Sequence, residues 1–193
     1  MARERYIMGM QKLTSLVLVF PMLVSTLAAP SSPLPRTSPE FTIHEPSGKQ
    51  ILLSSLKGKV VVLEFFFIQS EHCLRVAKTL NDLNKDLGGR GFQPVGIVFD
   101  PPTVRTSAVN LIPGMVDSEK LTYPVGYAAT TAVDAYLGRN GNELLAIPQV
   151  VVIDRTGTIR VATGNQTNPN LENENSLRAL IEGLLKETVP PKK

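Results

Sequence analysis

Cysteine is nearly absent: the chain of 193 residues has one, Cys73, so no disulfide can close within it. Histidine is scarce too, with His44 and His72 only. Those three residues make no ligand set of recognisable spacing, so no metal is expected, nor any other cofactor. Charge is modest at 19% charged residues and a formal net charge of +3. Part of the basic excess sits at the termini, in Arg3, Arg5, Lys12, Lys192 and Lys193. No dense Lys/Arg stripe with interleaved aromatics runs through the rest, which excludes nucleic acid as an expected partner. There is no internal repeat.

What is present is enough apolar sequence for one domain: 42% of the residues are hydrophobic. The first 29 residues stand apart. A short basic-leaning start, "MARERYIMGMQK", leads into "LTSLVLVFPMLVSTLAA", apolar or small throughout. That order is the n-region, h-region and small-residue exit of a secretory signal, with Thr26 and Ala28 at the selective positions. An uncleaved membrane anchor is the alternative, because the run approaches spanning length. Either predicts export to a periplasmic or other extracytoplasmic space, with the membrane touched only through this segment. Residues 30–40, "PSSPLPRTSPE", read as a stiff Pro/Ser-rich tether and residues 188–193 as a tail. In an exported chain a lone cysteine is either a reactive thiol awaiting an outside partner or a small buried hydrophobe.

From Phe41 onward the pattern alternates between strands and helices. Phe41–Ile43 and Gln50–Leu53 flank a "PSGK" turn, and "SSLKGK" is a polar link. Val60–Ile68 is an apolar run suited to a strand buried on both faces, interrupted by Glu64. Cys73, Val76, Ala77, Leu80, Leu83 and Leu87 recur at helical spacing, with Ser70 placed to cap the helix and Gly88 and Gly89 to stop it. "FQPVGIVFD" reads as the next core strand. A weakly helical stretch follows, broken by Pro113 and Gly114, then an extended "LTYPVGY" and a short helix in "ATTAVDAYLG". "IPQVVVID" and "TIRVATG" form a hairpin, and "NSLRALIEGLLKE" a last amphipathic helix. The alternation with a late hairpin predicts an α/β sandwich with a mixed sheet. Ligands in such sheets gather at strand C-terminal ends, where "IQSEH" lies beside Cys73.

The stretches "FTI", "SGK", "LSSLKGKVVVLEF" and "AIPQVVVIDRTGTIR", in that order, resemble the thioredoxin-like superfamily, in its exported TlpA/ResA and AhpC/TSA (peroxiredoxin-like) redoxin branch. The resemblance runs from Phe41 to Lys186. It implies a three-layer sandwich, a mixed central sheet with helices on both faces and an N-terminal β-hairpin, over residues 41–187. It also implies a cis peptide before Pro148 and a partner-docking edge at Ile147 and Pro148. The family's Cys-x-x-Cys falls on "SEHC": Ser70 stands where the first cysteine would be, and Cys73 in the second place. Glu64 matches the buried acid thought to take the second thiol's proton, against a structural carboxylate paired with Lys59. His72 matches a position where an imidazolium would favour a thiolate, against a solvated loop histidine.

A serine hydroxyl cannot form the internal disulfide, so exchange through one thiol needs an external resolving partner. The expected function is therefore an exported thiol–disulfide oxidoreductase working through Cys73, with a protein or small-molecule thiol or disulfide as partner. A second mapping sets Ser70 and Cys73 on the Thr/Ser-x-x-Cys of peroxiredoxins and implies a one-cysteine peroxidase. It lacks that family's proline, replaced by Phe66, and its arginine, replaced by Pro148. A non-catalytic thioredoxin-fold binding module is the third reading.

Overall fold

Eight strands form one mixed sheet in the computed structural model, which describes residues 33–100, 108–139, 145–163 and 170–188. They are β1 (Arg36–Thr37), β2 (Thr42–His44), β3 (Gln50–Leu52), β4 (Val60–Phe66), β5 (Phe92–Val98), β6 (Val125–Tyr127), β7 (Gln149–Ile153) and β8 (Thr158–Ala162). Their spatial order is β1-β8-β7-β4-β5-β6-β2-β3. The pairs β4–β5 and β5–β6 are parallel, and β7 runs antiparallel to β4. Every residue of β4 is buried because strands flank both its edges and helices cover both its faces.

Four helices, α1 (Glu71–Leu87), α2 (Ile112–Ser118), α3 (Thr130–Leu137) and α4 (Glu174–Lys186), fill the outer layers. The period-two alternation of β4 divides the core between them. Val60, Val62 and Phe66 point to the side of α1, α2 and α4. Val61, Leu63 and Phe65 point to the side of α3 with Val133 and Tyr136. The result is the expected thioredoxin-like three-layer sandwich, with β2 and β3 as its N-terminal hairpin.

Three local readings change. Arg36 and Thr37, assigned to the tether, pair with Ile159 and Thr158 and give the β8 edge a partner for its backbone groups. The Tyr136 and Ser38 hydroxyls, 2.8 Å apart, fix the same segment to α3. The helical stretch is not broken at Pro113 and Gly114: α2 passes through both, because a proline in the first turn forfeits no helical hydrogen bond. The strand ends at Phe66 rather than Ile68, since Phe67 turns off to stack near Phe99 with ring centres 4.7 Å apart.

At β6, a Cβ on Gly126 would meet Ile43 Cγ2 at 2.5 Å and the His44 carbonyl oxygen at 2.8 Å, so glycine is what lets β2 approach. The signal or anchor segment and nearly all of the tail lie outside the described residues. Among the described residues no helix is long and apolar enough to cross a membrane, and no group of three or more His, Cys, Asp or Glu could hold a metal ion.

Candidate active site

The site is the corner where β4 hands over to α1. Phe67–Ser70 makes the turn, with the Ser70 N–H donating to the Phe67 carbonyl at 3.1 Å. Ser70 then takes extended dihedrals, φ −92 and ψ 109, and caps α1: its Oγ accepts from the Cys73 N–H at 3.3 Å. Its carbonyl accepts the first helical hydrogen bond from Leu74 at 3.0 Å. Glu71 in the first turn suits the positive end of the helix dipole. Ser70 is thus a working helix cap.

Cys73 follows three residues later, where the helical period turns its side chain inward. It is 0% exposed, in a cluster with Phe66, Val76, Ala77, Tyr123, Val150 and Leu171. Burial pushes the thiol pKa up. The Ser70 side chain and the Phe67 backbone act the other way, while Glu64 and Glu172 push it further up. At rest Cys73 is a covered, protonated thiol.

Glu64 shares the face of β4 that carries Val62 and Phe66, on the side of α1. It is 0% exposed and neither carboxylate oxygen meets a hydrogen-bond partner in the protein. Burial holds its carboxyl well above the usual carboxylate range. Lys59, the suggested counter-ion, instead donates to Gln93 Oε1 at 3.0 Å. A buried, unpartnered acid is costly, and no structural partner offsets it. Its charge also acts on Cys73 and on the buried Tyr123, whose hydroxyl donates to the Ala77 carbonyl at 3.2 Å. An ionised Glu64 therefore opposes ionisation of Cys73, after the larger effect of burial.

His72 points outward, where its Nε2 lies 2.7 Å from Glu172 Oε2 in the turn before α4. It is not a free loop histidine, because Glu172 holds its ring. Glu172 escaped the sequence reading; it is a polar residue in a polar segment 100 positions away, without any local signal. Ile147 and Pro148 immediately precede β7, and Gln149 pairs with Phe65, so they sit at the same end of the sheet as Ser70. Their peptide is cis, Pro148 is buried, and Ile147 packs against both core clusters.

The arginines near β7 lie elsewhere. Arg155 occupies the β7–β8 turn, where its Nη2 donates to the Arg90 carbonyl at 3.2 Å. Arg160 bridges Asp154 at 3.2 Å and Glu187 at 2.8 Å. Among the described residues the charges acting on Cys73 are the carboxylates of Glu64 and Glu172, the reverse of what a peroxide-polarising site needs.

Comparison with known proteins agrees with this architecture. The AhpC/TSA family model matches residues 35–162. Peroxiredoxin Q, chloroplastic, of Suaeda salsa is 26% identical over 145 residues, which cover 74% of this chain and 64% of that protein's length. A thiol:disulfide interchange protein of the thioredoxin family from Chlorobium tepidum superposes with a TM-score of 0.63 at 22% identity, over 80% of this chain and 99% of that one. A secreted disulfide oxidoreductase from Mycobacterium tuberculosis does so with a TM-score of 0.56 at 21% identity, over 75% and 96%.

Proposed function

The chain belongs to the AhpC/TSA family of thioredoxin-fold redox proteins, and from there we propose that it is an exported thiol–disulfide exchange protein working through Cys73 alone. One observation carries this reading: a buried, unpartnered Glu64 on the side of the sheet that holds the thiol. Nothing among the described residues pairs with an acid there, whereas a buried acid with a raised pKa suits a proton acceptor for a buried thiol. Burial raises the pKa of both groups, and a carboxylate with a raised pKa is a stronger base than an ordinary one.

In the proposed cycle Glu64, in its ionised form, takes the Cys73 proton. The Cys73 sulfur attacks one sulfur of a partner disulfide, whose S–S bond breaks. The departing thiolate takes the proton from Glu64, leaving a mixed disulfide on Cys73. An external thiol then attacks that bond, forms a new disulfide with the partner's sulfur and returns the Cys73 thiol. Ser70 cannot resolve the mixed disulfide internally; its part is to hold the helix start. Ile147 and Pro148 give the partner chain an edge at the same end of the sheet. The 0% exposure of Cys73 means that the first turn of α1, which carries it, has to move for each exchange.

That same burial favours a second reading, the non-catalytic binding module. Restoring the missing thiol separates the two. Ser70→Cys is expected to reduce insulin disulfides in the presence of an external reductant, as a two-thiol site does. A folded variant with no such gain removes Cys73 from the active-site assignment. The peroxidase reading, favoured by the likeness to peroxiredoxin Q, predicts instead that dilute hydrogen peroxide converts Cys73 to a trappable sulfenic acid.

A further inference from the structure

We infer that Glu172 is a positioning residue that latches the Cys73 thiol shut, an inference that rests on the thiol-exchange reading above. Glu172 belongs to the turn Asn170–Asn173, which is tied down on both sides. Asn170 Oδ1 accepts from the Glu172 N–H at 3.1 Å, and the Asn170 carbonyl accepts from the Asn173 N–H at 3.1 Å. Asn173 then caps α4, its Oδ1 accepting from the Ser176 N–H at 3.1 Å. Between them Leu171, 3% exposed, is sunk into the cluster that holds Cys73. The turn is seated on the thiol's own core, and from it Glu172 Oε2 reaches His72 Nε2 at 2.7 Å.

His72 immediately precedes Cys73 in the first turn of α1. The His72–Glu172 contact therefore joins the turn that carries the thiol to the chain entering α4. Exposing Cys73 requires that first turn to move, and the pair opposes the movement. The carboxylate also opposes ionisation of the thiol, as the smallest of the influences on it. Among the described residues the charged groups acting on Cys73 are Glu64 from β4 and Glu172 from this turn. His72 meets Glu172 across the gap and has Glu71 and Arg75 as exposed neighbours on its own helix. The side chains of His72 and Glu172 are 45% and 35% exposed, so the latch is a weak one that a docking partner can displace.

The test is alkylation of Cys73 by iodoacetamide in the folded full-length chain, followed against pH. Glu172→Gln is expected to react roughly two- to fivefold faster at fixed pH, the size of a surface ion pair, with its rate–pH profile moved to lower pH. His72→Gln breaks the pair but keeps the carboxylate, so it gives the rate increase without the downward move. Glu172→Gln reacting at the wild-type rate, or faster only in proportion to lost global stability, overturns the latch. The same samples are offered bis(2-hydroxyethyl) disulfide. Faster alkylation of Glu172→Gln without any mixed disulfide keeps the latch and overturns the exchange reading. Wild-type exchange that Glu172→Gln does not alter keeps the exchange reading and overturns the latch.

Discussion

Glu64 sets the pH behaviour at the scale of single residues. In the unfolded chain its carboxyl ionises in the ordinary range; in the fold burial holds the proton to higher pH. Below the ordinary range both states are protonated and the group costs nothing in pH-linked stability. As pH climbs from there through the folded value, the unfolded state gains by ionising first, so stability is lost. Glu64→Leu should therefore stabilise the protein by on the order of 1–3 kcal/mol near about pH 8. The gain should shrink toward about pH 4, as read from urea midpoints across the range. A gain that is the same at all pH values would mean that ionisation is not its source. Cys73 follows the same sign at alkaline pH, where the fold withholds its ionisation. The places of Ser70, Cys73 and Glu64 in the fold were legible in the sequence, because a strand-to-helix junction and a lone acid in an apolar run are local patterns, while Pro148 was singled out only through the family resemblance. The Glu172 contact to His72 was not legible, since it depends on where a distant turn is seated. Nor was the absence of a partner for Glu64, which depends on Lys59 reaching Gln93 instead.

At the scale of elements, α1 owes its position to a cap and an apolar stripe. Ser70→Ala removes the acceptor for the Cys73 N–H and should cost about 1 kcal/mol. Chemical denaturation of the variant measures it, and Ser70→Asn should restore most of the loss, as another good cap. A different element is limited by contact. Gly126→Ala drives a methyl into Ile43 and the His44 backbone, and should destabilise by about 1–3 kcal/mol while loosening β2 from β6. Amide exchange should show the loosening first at His44 and Tyr127, with the β4–β5 centre unchanged. Periodicity made α1, α4 and the central strands readable, because their buried faces repeat over many residues. It could not place the two-residue β1, which exists only because the β8 edge is there to receive it. Nor could it carry α2 through Pro113, where only the position within the turn makes proline tolerable.

At the scale of the whole molecule, the two ends of the sheet are differently equipped. One end carries the β4–α1 corner, Ile147 and Pro148, with Glu64 buried behind them in β4. The other carries the Asp154 turn, where Asp154 Oδ1 gathers the N–H groups of Thr156 and Thr158 and Arg160 binds Oδ2. Among the described residues the charges felt by the thiol are thus carboxylates, while Arg155 and Arg160 lie at the turn of the opposite end. That arrangement suits a slow, partner-gated exchange thiol rather than a standing peroxide trap. The most direct measurement mixes the folded wild-type chain with bis(2-hydroxyethyl) disulfide and follows intact mass, with Cys73→Ala as control. The account predicts one mixed disulfide, absent from the control, released by added thiol. It predicts a formation rate that keeps rising with pH beyond the range where a free cysteine levels off. No adduct on the folded chain, with full reaction once the chain is unfolded, would contradict it and leave Cys73 a core residue.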